Sequence, residues 1–231
     1  MKLEIIAYTL ADAKIAHAAG ADRIEVITGP AEGGLTPSLG LVEEIREHSS
    51  IDMRIMVRPH SRHFCYDADD IQTIIRDTRL FNRLGIDGFV FGALTPERKI
   101  DEELLRRFIE AADGLPVTFH RAFDKVLDQE EALITLSKFP EVTHVLTSGA
   151  KSVVTDAVDT LLRLQDLASN SGHLRVIAGA GLTVHALDDF LRSSGISEVH
   201  LGSGVRVKNH ILQPLDANLI TKARDLVHRP F

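Results

Sequence analysis

Short apolar runs of strand character alternate with longer segments of helical period along the 231-residue chain. The runs begin near Leu3, Arg23, Met53, Gly88, Pro116, Thr143, Leu174 and Glu198. They are spaced by roughly 20 to 34 residues, which is about the length of one strand plus one helix. Strands that alternate with helices indicate a parallel sheet. The pattern therefore predicts eight strand–helix units.

The segments between the runs carry apolar residues at spacings of three and four, as amphipathic helices do. Two segments show this period most clearly: Ile71, Ile74, Ile75, Thr78, Phe81 and Leu84, and Leu104, Leu105, Phe108, Ile109 and Ala112. No linker rich in Ser, Pro or Gly divides the sequence. We predict an α/β fold, a single (β/α)8 TIM barrel occupying residues 1–231 as one domain. A doubly wound open sheet is the alternative, but its dinucleotide-binding fingerprint is missing.

Alternation within the runs separates an apolar face from a mixed face. Outward strand residues of a barrel pack under the helices and should be apolar. The outward set is Leu3, Ile5, Ile24, Val26, Ile55, Val57, Val117, Phe119, Leu146, Val199 and Leu201. The inward set is Glu4, Glu25, Arg58, His120, Thr147 and His200, with Ile6, Met56, Val145 and Ile177. Because an unpaired buried charge is costly, we expect this polar lumen to pair internally or to face water and a ligand.

Three inward residues are candidates for acid–base chemistry. Glu4 and Glu25 lie on adjacent predicted strands, and close carboxylates raise one another's pKa. His120 ends the fifth strand, at the face where barrel enzymes keep their chemistry, and imidazole exchanges protons near neutral pH. We predict Glu4, Glu25 and His120 as catalytic residues. The alternative is a structural salt-bridge network of the carboxylates with Arg58 or Arg54.

A second group of residues fits an anion. Arg58 and Arg121 can hold a carboxylate or phosphate bidentately, although Arg121 and Asp124 could instead form a structural ion pair. Turns rich in glycine follow the last two strands, where barrels often bind phosphate through backbone N–H groups. The turn after the sixth strand adds hydroxyl donors. The turn residues are Thr147, Ser148, Gly179, Gly181, Gly202, Ser203 and Gly204. The prediction is a small anionic or phosphorylated ligand.

The loop after the third strand carries three candidate metal ligands. His60, His63 and Cys65 fall within six residues, and a thiolate with imidazole suits copper(I). Their spacing fits no standard zinc motif. The alternative is that both histidines face solvent and Cys65 is a small buried hydrophobic residue.

Composition narrows the classes of partner and compartment. With 26 basic and 33 acidic residues the net charge is −7, so the chain has no general attraction for nucleic acid or anionic membranes. It contains no apolar run of about 18 residues and no secretory signal. Its single cysteine excludes an intramolecular disulfide. We expect a cytoplasmic protein with neither nucleic acid nor membrane as partner.

Several stretches together resemble one protein family, the copper homeostasis protein CutC family, along nearly the whole chain. These stretches are 20–25 (GADRIE), 32–40 (EGGLTPSLG), 64–66 (FCY), 118–124 (TFHRAFD), 146–149 (LTSG) and 178–181 (AGAG). The resemblance implies a (β/α)8 barrel, a cytoplasmic location, a homo-oligomer, and copper binding linked to copper homeostasis.

The resemblance also bears on the metal ligands. Some members carry a cysteine just after the glutamate of the second strand, where this chain has Ile27, and pair it with the cysteine matched here by Cys65. Members tend to have Arg and Asp where His60 and His63 stand. Two functional hypotheses result. One is a CutC-like protein of copper homeostasis with Cys65 as metal contact. The other is a barrel enzyme acting on a small anionic metabolite through Glu25 or Glu4 and His120.

Overall fold

The computed structural model describes residues 1–229, which form a closed parallel barrel surrounded by helices. The strands are β1 (Lys2–Ala7), β2 (Arg23–Val26), β3 (Asp52–Met56), β4 (Gly88–Phe91), β5 (Val117–Phe119), β6 (Val142–Thr147), β7 (Arg175–Gly179) and β8 (Glu198–Leu201). Each strand pairs with its neighbours in chain order, and β8 returns to pair with β1. The described strands begin within one residue of the predicted positions, and the fold class is confirmed.

One α-helix follows each strand across the described residues. The helices are α1 (Leu10–Ala18), α2 (Leu39–His48), α3 (Ala68–Asn82), α4 (Glu102–Ala112), α5 (Gln129–Leu136), α6 (Val158–Ser169), α7 (Val184–Ser194) and α8 (Ala217–Val227). Among residues 1–229, no helix has the length and apolar character needed to cross a bilayer.

Helix starts follow from short polar side chains. The side chain of Asp67 accepts hydrogen bonds from the backbone N–H groups of Asp69 and Asp70, and Asp70 returns the bond in a capping box. Asp101 caps α4 in the same way by accepting from the N–H of Leu104. These caps satisfy N–H groups that have no partner inside the helix. They explain why the helical period begins where it does.

The main core lies between the outward face of the barrel and the helices. It contains the predicted outward residues of β1, β2, β3, β5 and β8, all essentially without solvent exposure. Phe91 of β4 stacks on Phe108 of α4 with ring centroids 4.0 Å apart. This packing orients the strands so that their other face must point into the barrel.

The predicted orientation of β6 is wrong. Val117 pairs with Val142 but the next residue of β5, Thr118, pairs with His144, so β6 carries one extra residue at a bulge. A one-residue slip turns every following side chain to the opposite face. Val145 therefore packs in the outer core, whereas Leu146 lines the interior cavity. Thr147 follows Val145 outward.

Candidate active site

A cavity of about 440 Å³ opens where the strands end at their carboxyl termini. Its walls come from the inward residues of several strands and from the loops that follow them. The lining residues are Ile6, Glu25, Ile27, Pro30, Gly33, Met56, Arg58, Phe64, His120, Arg121, Lys125, Leu146, Ala180, Gly181, Leu182, His200, Gly202, Ser203 and Ile211. The cavity thus combines an apolar wall with ionisable groups. Several predicted site residues meet here, and others lie elsewhere.

A buried relay of ionisable groups reaches the cavity from the barrel interior. Arg23 donates to Glu4, and the Nδ1 atom of His200 donates to Oε1 of Glu4 at 2.6 Å. The other ring nitrogen of His200, Nε2, lies 3.7 Å from Oε2 of Glu25. Glu25 ends the relay in the cavity wall, and its Oε1 atom is buried without a hydrogen-bond partner. The predicted proximity of Glu4 and Glu25 is mediated by His200.

The two glutamates differ in protonation because their partners differ. Burial opposes ionisation of Glu4, but the charge of Arg23 and the hydrogen bond from His200 outweigh it and hold its pKa well below the usual range. Burial, aided by the charge of Glu4, raises the pKa of Glu25 to about 7. The nearby carboxylates overcome burial at His200 and raise its pKa. Of the two predicted carboxyl bases, Glu25 alone lines the cavity and changes protonation near neutral pH.

His120 lies in the same cavity as a neutral imidazole with a defined tautomer. Its Nδ1 atom accepts a hydrogen bond from the backbone N–H of Ala122 at 3.1 Å, which places the ring proton on Nε2. That Nε2 atom is buried and has no partner. Burial, with the charge of Arg58, lowers the pKa of His120 to about 3. At neutral pH His120 is therefore a hydrogen-bond donor, rather than the imidazolium acid that an unperturbed histidine would supply.

Basic residues border the cavity in different ways. Arg58 donates to the carbonyl oxygens of Glu32 and Gly34 at 3.2 Å and lies over the ring of Phe64. Neither glutamate of the relay pairs with it, and the ion pair of Glu4 forms with Arg23 instead. Arg54, the other predicted salt-bridge partner, binds Asp52. Arg58 is thus held by the loops that surround the cavity.

The cationic rim of the cavity consists of Arg121 and Lys125, both of which contribute to its lining. Arg121 donates from Nε to Asp124 at 2.8 Å and from a terminal nitrogen to the hydroxyl of Ser148 at 3.1 Å. The predicted alternative, an Arg121–Asp124 ion pair, is therefore present. The Arg121 side chain remains 46% exposed, which leaves part of the guanidinium accessible at the cavity mouth.

The sequence predicted that Thr147 and Ser148 would contact the ligand, but neither residue lines the cavity. Their hydroxyl groups bind the carboxylate of Asp124, as do the backbone N–H groups of Ser148 and Ala150. The turn therefore already holds an anion, supplied by the chain itself. The bulge in β6 is the physical reason, because it turns Thr147 away from the barrel interior.

The glycine turns divide between the cavity and the packing around it. Gly181, Gly202 and Ser203 line the cavity, whereas Gly179 and Gly204 do not. A Cβ atom on Gly204 would lie 2.0 Å from the carbonyl oxygen of Leu182. Glycine is required there because two backbone segments approach closely.

The candidate metal ligands do not converge on one point. Nε2 of His60 binds Asp70 at 2.9 Å, His63 is exposed, and Cys65 is a half-buried free thiol. Within residues 1–229, the only three His, Cys, Asp or Glu side chains with ligand atoms within 4.8 Å of one another are Glu44, Glu47 and His48, all exposed. The residues around Cys65 thus do not fit a closed copper site of three such ligands.

Sequence reasoning did not single out the residue that anchors the loop after β8. Arg206 is fully buried, donates to Asp12 at 3.0 Å and to the carbonyl oxygens of Ile6 and Gln213, and lies over the ring of Tyr8. Its anchoring holds the loop that carries Ile211 against the cavity. No sequence signal marks it, because its partners Ile6 and Asp12 lie about 200 residues away in the chain.

The fold and cavity define an α/β barrel with an open polar cavity at the carboxyl ends of its strands. The model of the CutC family matches residues 1–205, and the chain belongs to that family. A CutC family protein of Salmonella enteritidis is 39% identical over 203 residues, covering 88% of this chain and 80% of the relative. The corresponding protein of Salmonella typhimurium is 38% identical over the same length.

Solved structures agree with the family and the fold. A candidate copper homeostasis protein CutC from Streptococcus agalactiae superposes with a TM-score of 0.81 at 26% identity, covering 87% of this chain and 98% of its own. Phosphoribosylanthranilate isomerase of Thermotoga maritima superposes with a TM-score of 0.65 at 14% identity, covering 98% of each chain. At that identity the second likeness concerns the fold alone.

Proposed function

We propose that this CutC family protein is a barrel enzyme that exchanges a proton with a small anionic metabolite, with Glu25 as the general base. The proposal rests on the environment of the Glu25 carboxyl group. It lies in the cavity wall, has an oxygen without a partner, and has a pKa raised to about 7. A base is most useful when its pKa lies near the working pH. If Glu25 served only in internal ion pairs, both of its carboxyl oxygens would be expected to have hydrogen-bond partners.

Glu4 is a positioning residue, because it acts on Glu25 through His200. It stays ionised through Arg23 and orients His200 by accepting from Nδ1. His200 in turn faces Glu25 with Nε2. The arrangement holds the carboxyl of Glu25 in one orientation, as a base and its supporting groups do in other enzymes. Glu4 itself does not line the cavity.

The anionic part of the ligand is proposed to bind at the rim formed by Arg121 and Lys125. Both cations border the cavity, and Gly181, Gly202 and Ser203 also contribute to its lining. Arg58 adds positive charge from the loop after β3. Guanidinium groups bind carboxylate and phosphate through paired hydrogen bonds.

Calorimetric titration of the full chain with inorganic phosphate tests the anion site. Arg121→Ala and Lys125→Ala should each weaken binding about tenfold, the effect of losing one charge-assisted hydrogen bond. Arg175→Ala, an exposed arginine at the opposite end of β7, is the matched control and should bind as the wild type does. Absence of phosphate binding, or equal affinity in all four proteins, would contradict the anion site.

Glu25→Gln and His120→Ala test whether the cavity groups act on a ligand. Both variants should fold, as measured by circular dichroism and urea denaturation, and both should alter ligand binding or turnover. Unfolding of both variants would show that these buried groups serve the structure alone.

Copper(I) binding through Cys65 is the second candidate, favoured by the copper homeostasis name of the Streptococcus agalactiae relative. Cys65 is a half-buried free thiol in the same loop as His60 and His63, whose rings lie 5.1 Å apart. Cys65→Ala should abolish stoichiometric copper(I) binding, measured by competition with a chromogenic chelator. Binding that is unchanged in this variant rules out Cys65 as the metal contact.

We also propose, in view of the family membership, a cytoplasmic protein that assembles from copies of this chain. Light scattering after size-exclusion chromatography should give a mass of at least twice the 25.4 kDa of one chain. A mass equal to one chain at micromolar concentration would contradict the assembly.

A further inference from the structure

Three side chains of the cavity wall, Glu25, Arg58 and His120, each have a buried polar atom that the protein leaves unsatisfied. The atoms at Glu25 and His120 are of opposite character. Oε1 of Glu25 is a proton acceptor and Nε2 of His120 is a donor, and neither has a partner within the described chain. Both side chains are more than nine-tenths buried and both line the cavity. Because a buried polar atom without a hydrogen-bond partner is unfavourable, such a pair in a cavity wall indicates a complementary ligand.

The donor at His120 is set by the backbone and cannot easily be exchanged for an acceptor. Its Nδ1 atom accepts from Ala122 at the start of the turn after β5, which leaves the proton on Nε2. The ring also packs against Phe64 with centroids 5.0 Å apart. The ligand atom opposite Nε2 must therefore be a hydrogen-bond acceptor, such as a carbonyl oxygen.

We infer that the substrate is a small carbonyl compound with an anionic group, and that Glu25 removes a proton from the carbon next to the carbonyl while His120 donates a hydrogen bond to its oxygen. This inference rests on the proposed function and adds the chemical class of the substrate. A neutral imidazole donor suits an oxygen that gains negative charge during the reaction, since it stabilises that charge without protonating the ground state.

The step balances without an added reactant. Glu25 takes the proton from the α-carbon, and the electron pair of the C–H bond becomes the new C=C bond. The π electrons of the carbonyl move to its oxygen, where Nε2 of His120 stabilises the enolate. Return of the proton to the same carbon restores the substrate, and in D2O it leaves deuterium there. When the α-carbon carries a hydroxyl group, the O–H proton moves to the former carbonyl oxygen while the carbon-bound proton returns to the former carbonyl carbon, so the carbonyl group shifts by one carbon. The reaction class is therefore an isomerase.

The remaining cavity wall accommodates such a substrate. Ile6, Ile27, Met56 and Leu146 form an apolar surface near Glu25. An apolar surrounding strengthens the hydrogen bond at the enolate oxygen, because the local dielectric constant is low. The rim at Arg121 and Lys125 would bind the anionic end.

Deuterium incorporation from D2O tests the inference on the full-length protein. The probes are dihydroxyacetone phosphate and pyruvate. Each has a control of the same charge in which an alcohol replaces the ketone group, glycerol 3-phosphate and lactate respectively. Proton NMR should show incorporation at the α-carbon of at least one ketone with the wild type. Glu25→Gln should lower that rate at least about 100-fold and still bind the ketone, because a general base contributes about this factor.

His120 gives a second, independent readout. His120→Leu removes the donor and should lower the exchange rate about 100-fold, whereas His120→Gln keeps an N–H group and should retain part of the rate. The wild type should also bind the ketone more tightly than the matched alcohol.

The outcomes separate the two proposals. Binding of the ketones without deuterium incorporation overturns the carbonyl inference and leaves the anion site intact. Equal incorporation rates in wild type and Glu25→Gln contradict Glu25 as the general base and overturn the proposed function as well. Failure of the ketones, the alcohols and inorganic phosphate to bind at all overturns the proposed function and this inference with it.

Discussion

Glu4 and Glu25 have the same side chain and are both buried, yet their pKa values move in opposite directions. Glu4 has Arg23 and His200 as direct partners, whereas Glu25 has His200 at 3.7 Å and one oxygen without a partner. Desolvation dominates where compensation is incomplete. Partner geometry, rather than residue type, thus separates the positioning carboxylate from the candidate base.

The raised pKa of Glu25 predicts a pH-dependent stability. Between its ordinary pKa of 4.5 and about 7, the folded protein keeps the proton on Glu25 while the unfolded chain releases it. The stabilisation from this proton is therefore present below pH 4.5 and is lost as the pH rises through 7. Relative to Glu25→Gln, the wild type should lose about 2 kcal/mol of unfolding free energy between pH 5 and pH 8.

Urea denaturation of both proteins across this range measures the difference. Glu43→Gln, an exposed glutamate on α2, is the control and should track the wild type. A constant difference between Glu25→Gln and wild type from pH 5 to 8 would show that the pKa of Glu25 is not raised.

A glycine beside His120 gives a second prediction at this scale. A Cβ atom on Gly92 would lie 2.6 Å from the ring of His120, whereas one on Gly40 of α2 meets no atom within 4 Å. Gly92→Ala should displace the imidazole and destabilise the fold by about 1–3 kcal/mol. Gly40→Ala should leave stability unchanged or raise it by up to about 1 kcal/mol.

Nitrogen NMR of the histidine rings reports the consequence for the site. In the wild type His120 should show the tautomer with the proton on Nε2, and Gly92→Ala should shift those signals. Unshifted His120 signals would mean that the ring does not depend on the space at Gly92.

At the scale of elements, one bulge determines which side chains of β6 face the cavity and what the following loop binds. The extra residue between Val142 and His144 exchanges the two faces of β6, so Leu146 reaches the cavity and Thr147 does not. The turn that follows then closes on Asp124. Sequence alternation could not reveal this, because either face of β6 is compatible with its apolar residues.

Asp124 should therefore be a stability residue of the turn. It accepts hydrogen bonds from Arg121, Thr147, Ser148 and Ala150. Asp124→Ala leaves several donors without a partner and should cost about 2–4 kcal/mol in urea denaturation. Asp101→Ala, which removes a single helix-cap bond, should cost only about 1 kcal/mol. Equal losses in the two variants would contradict the role of Asp124.

At the scale of the molecule, buried ion pairs link the strands where the barrel closes. Arg23 of β2 binds Glu4 of β1 and Glu198 of β8. Burial opposes ionisation of Glu198, but His144 and Arg23 outweigh it and lower its pKa to about 2. The barrel therefore closes around a compensated set of charges rather than around apolar side chains alone.

Removal of the shared cation should destabilise the whole barrel. Arg23→Met removes the guanidinium that Glu4 and Glu198 share, and we expect a loss of about 3–5 kcal/mol at pH 7. The loss should narrow toward pH 4, because protonation of the two carboxyl groups removes the unpaired charge. The controlled comparison is Arg54→Met, whose partner Asp52 is partly exposed. Equal losses in both variants, or a loss independent of pH, would contradict this account.

The alternation of apolar and polar residues determined the barrel, the strand positions, and the inward placement of Glu25 and His120. It could do so because outward residues must pack under helices, so apolar spacing alone identifies that face. Pairing across the barrel was decided by tertiary structure. Three features were decided in this way: the pairing of Glu4 with Arg23 rather than Arg58, the bulge in β6, and the unsatisfied atoms of Glu25 and His120 in the cavity. Each depends on distances between strands that lie far apart in the chain. The local sequence pattern does not contain those distances.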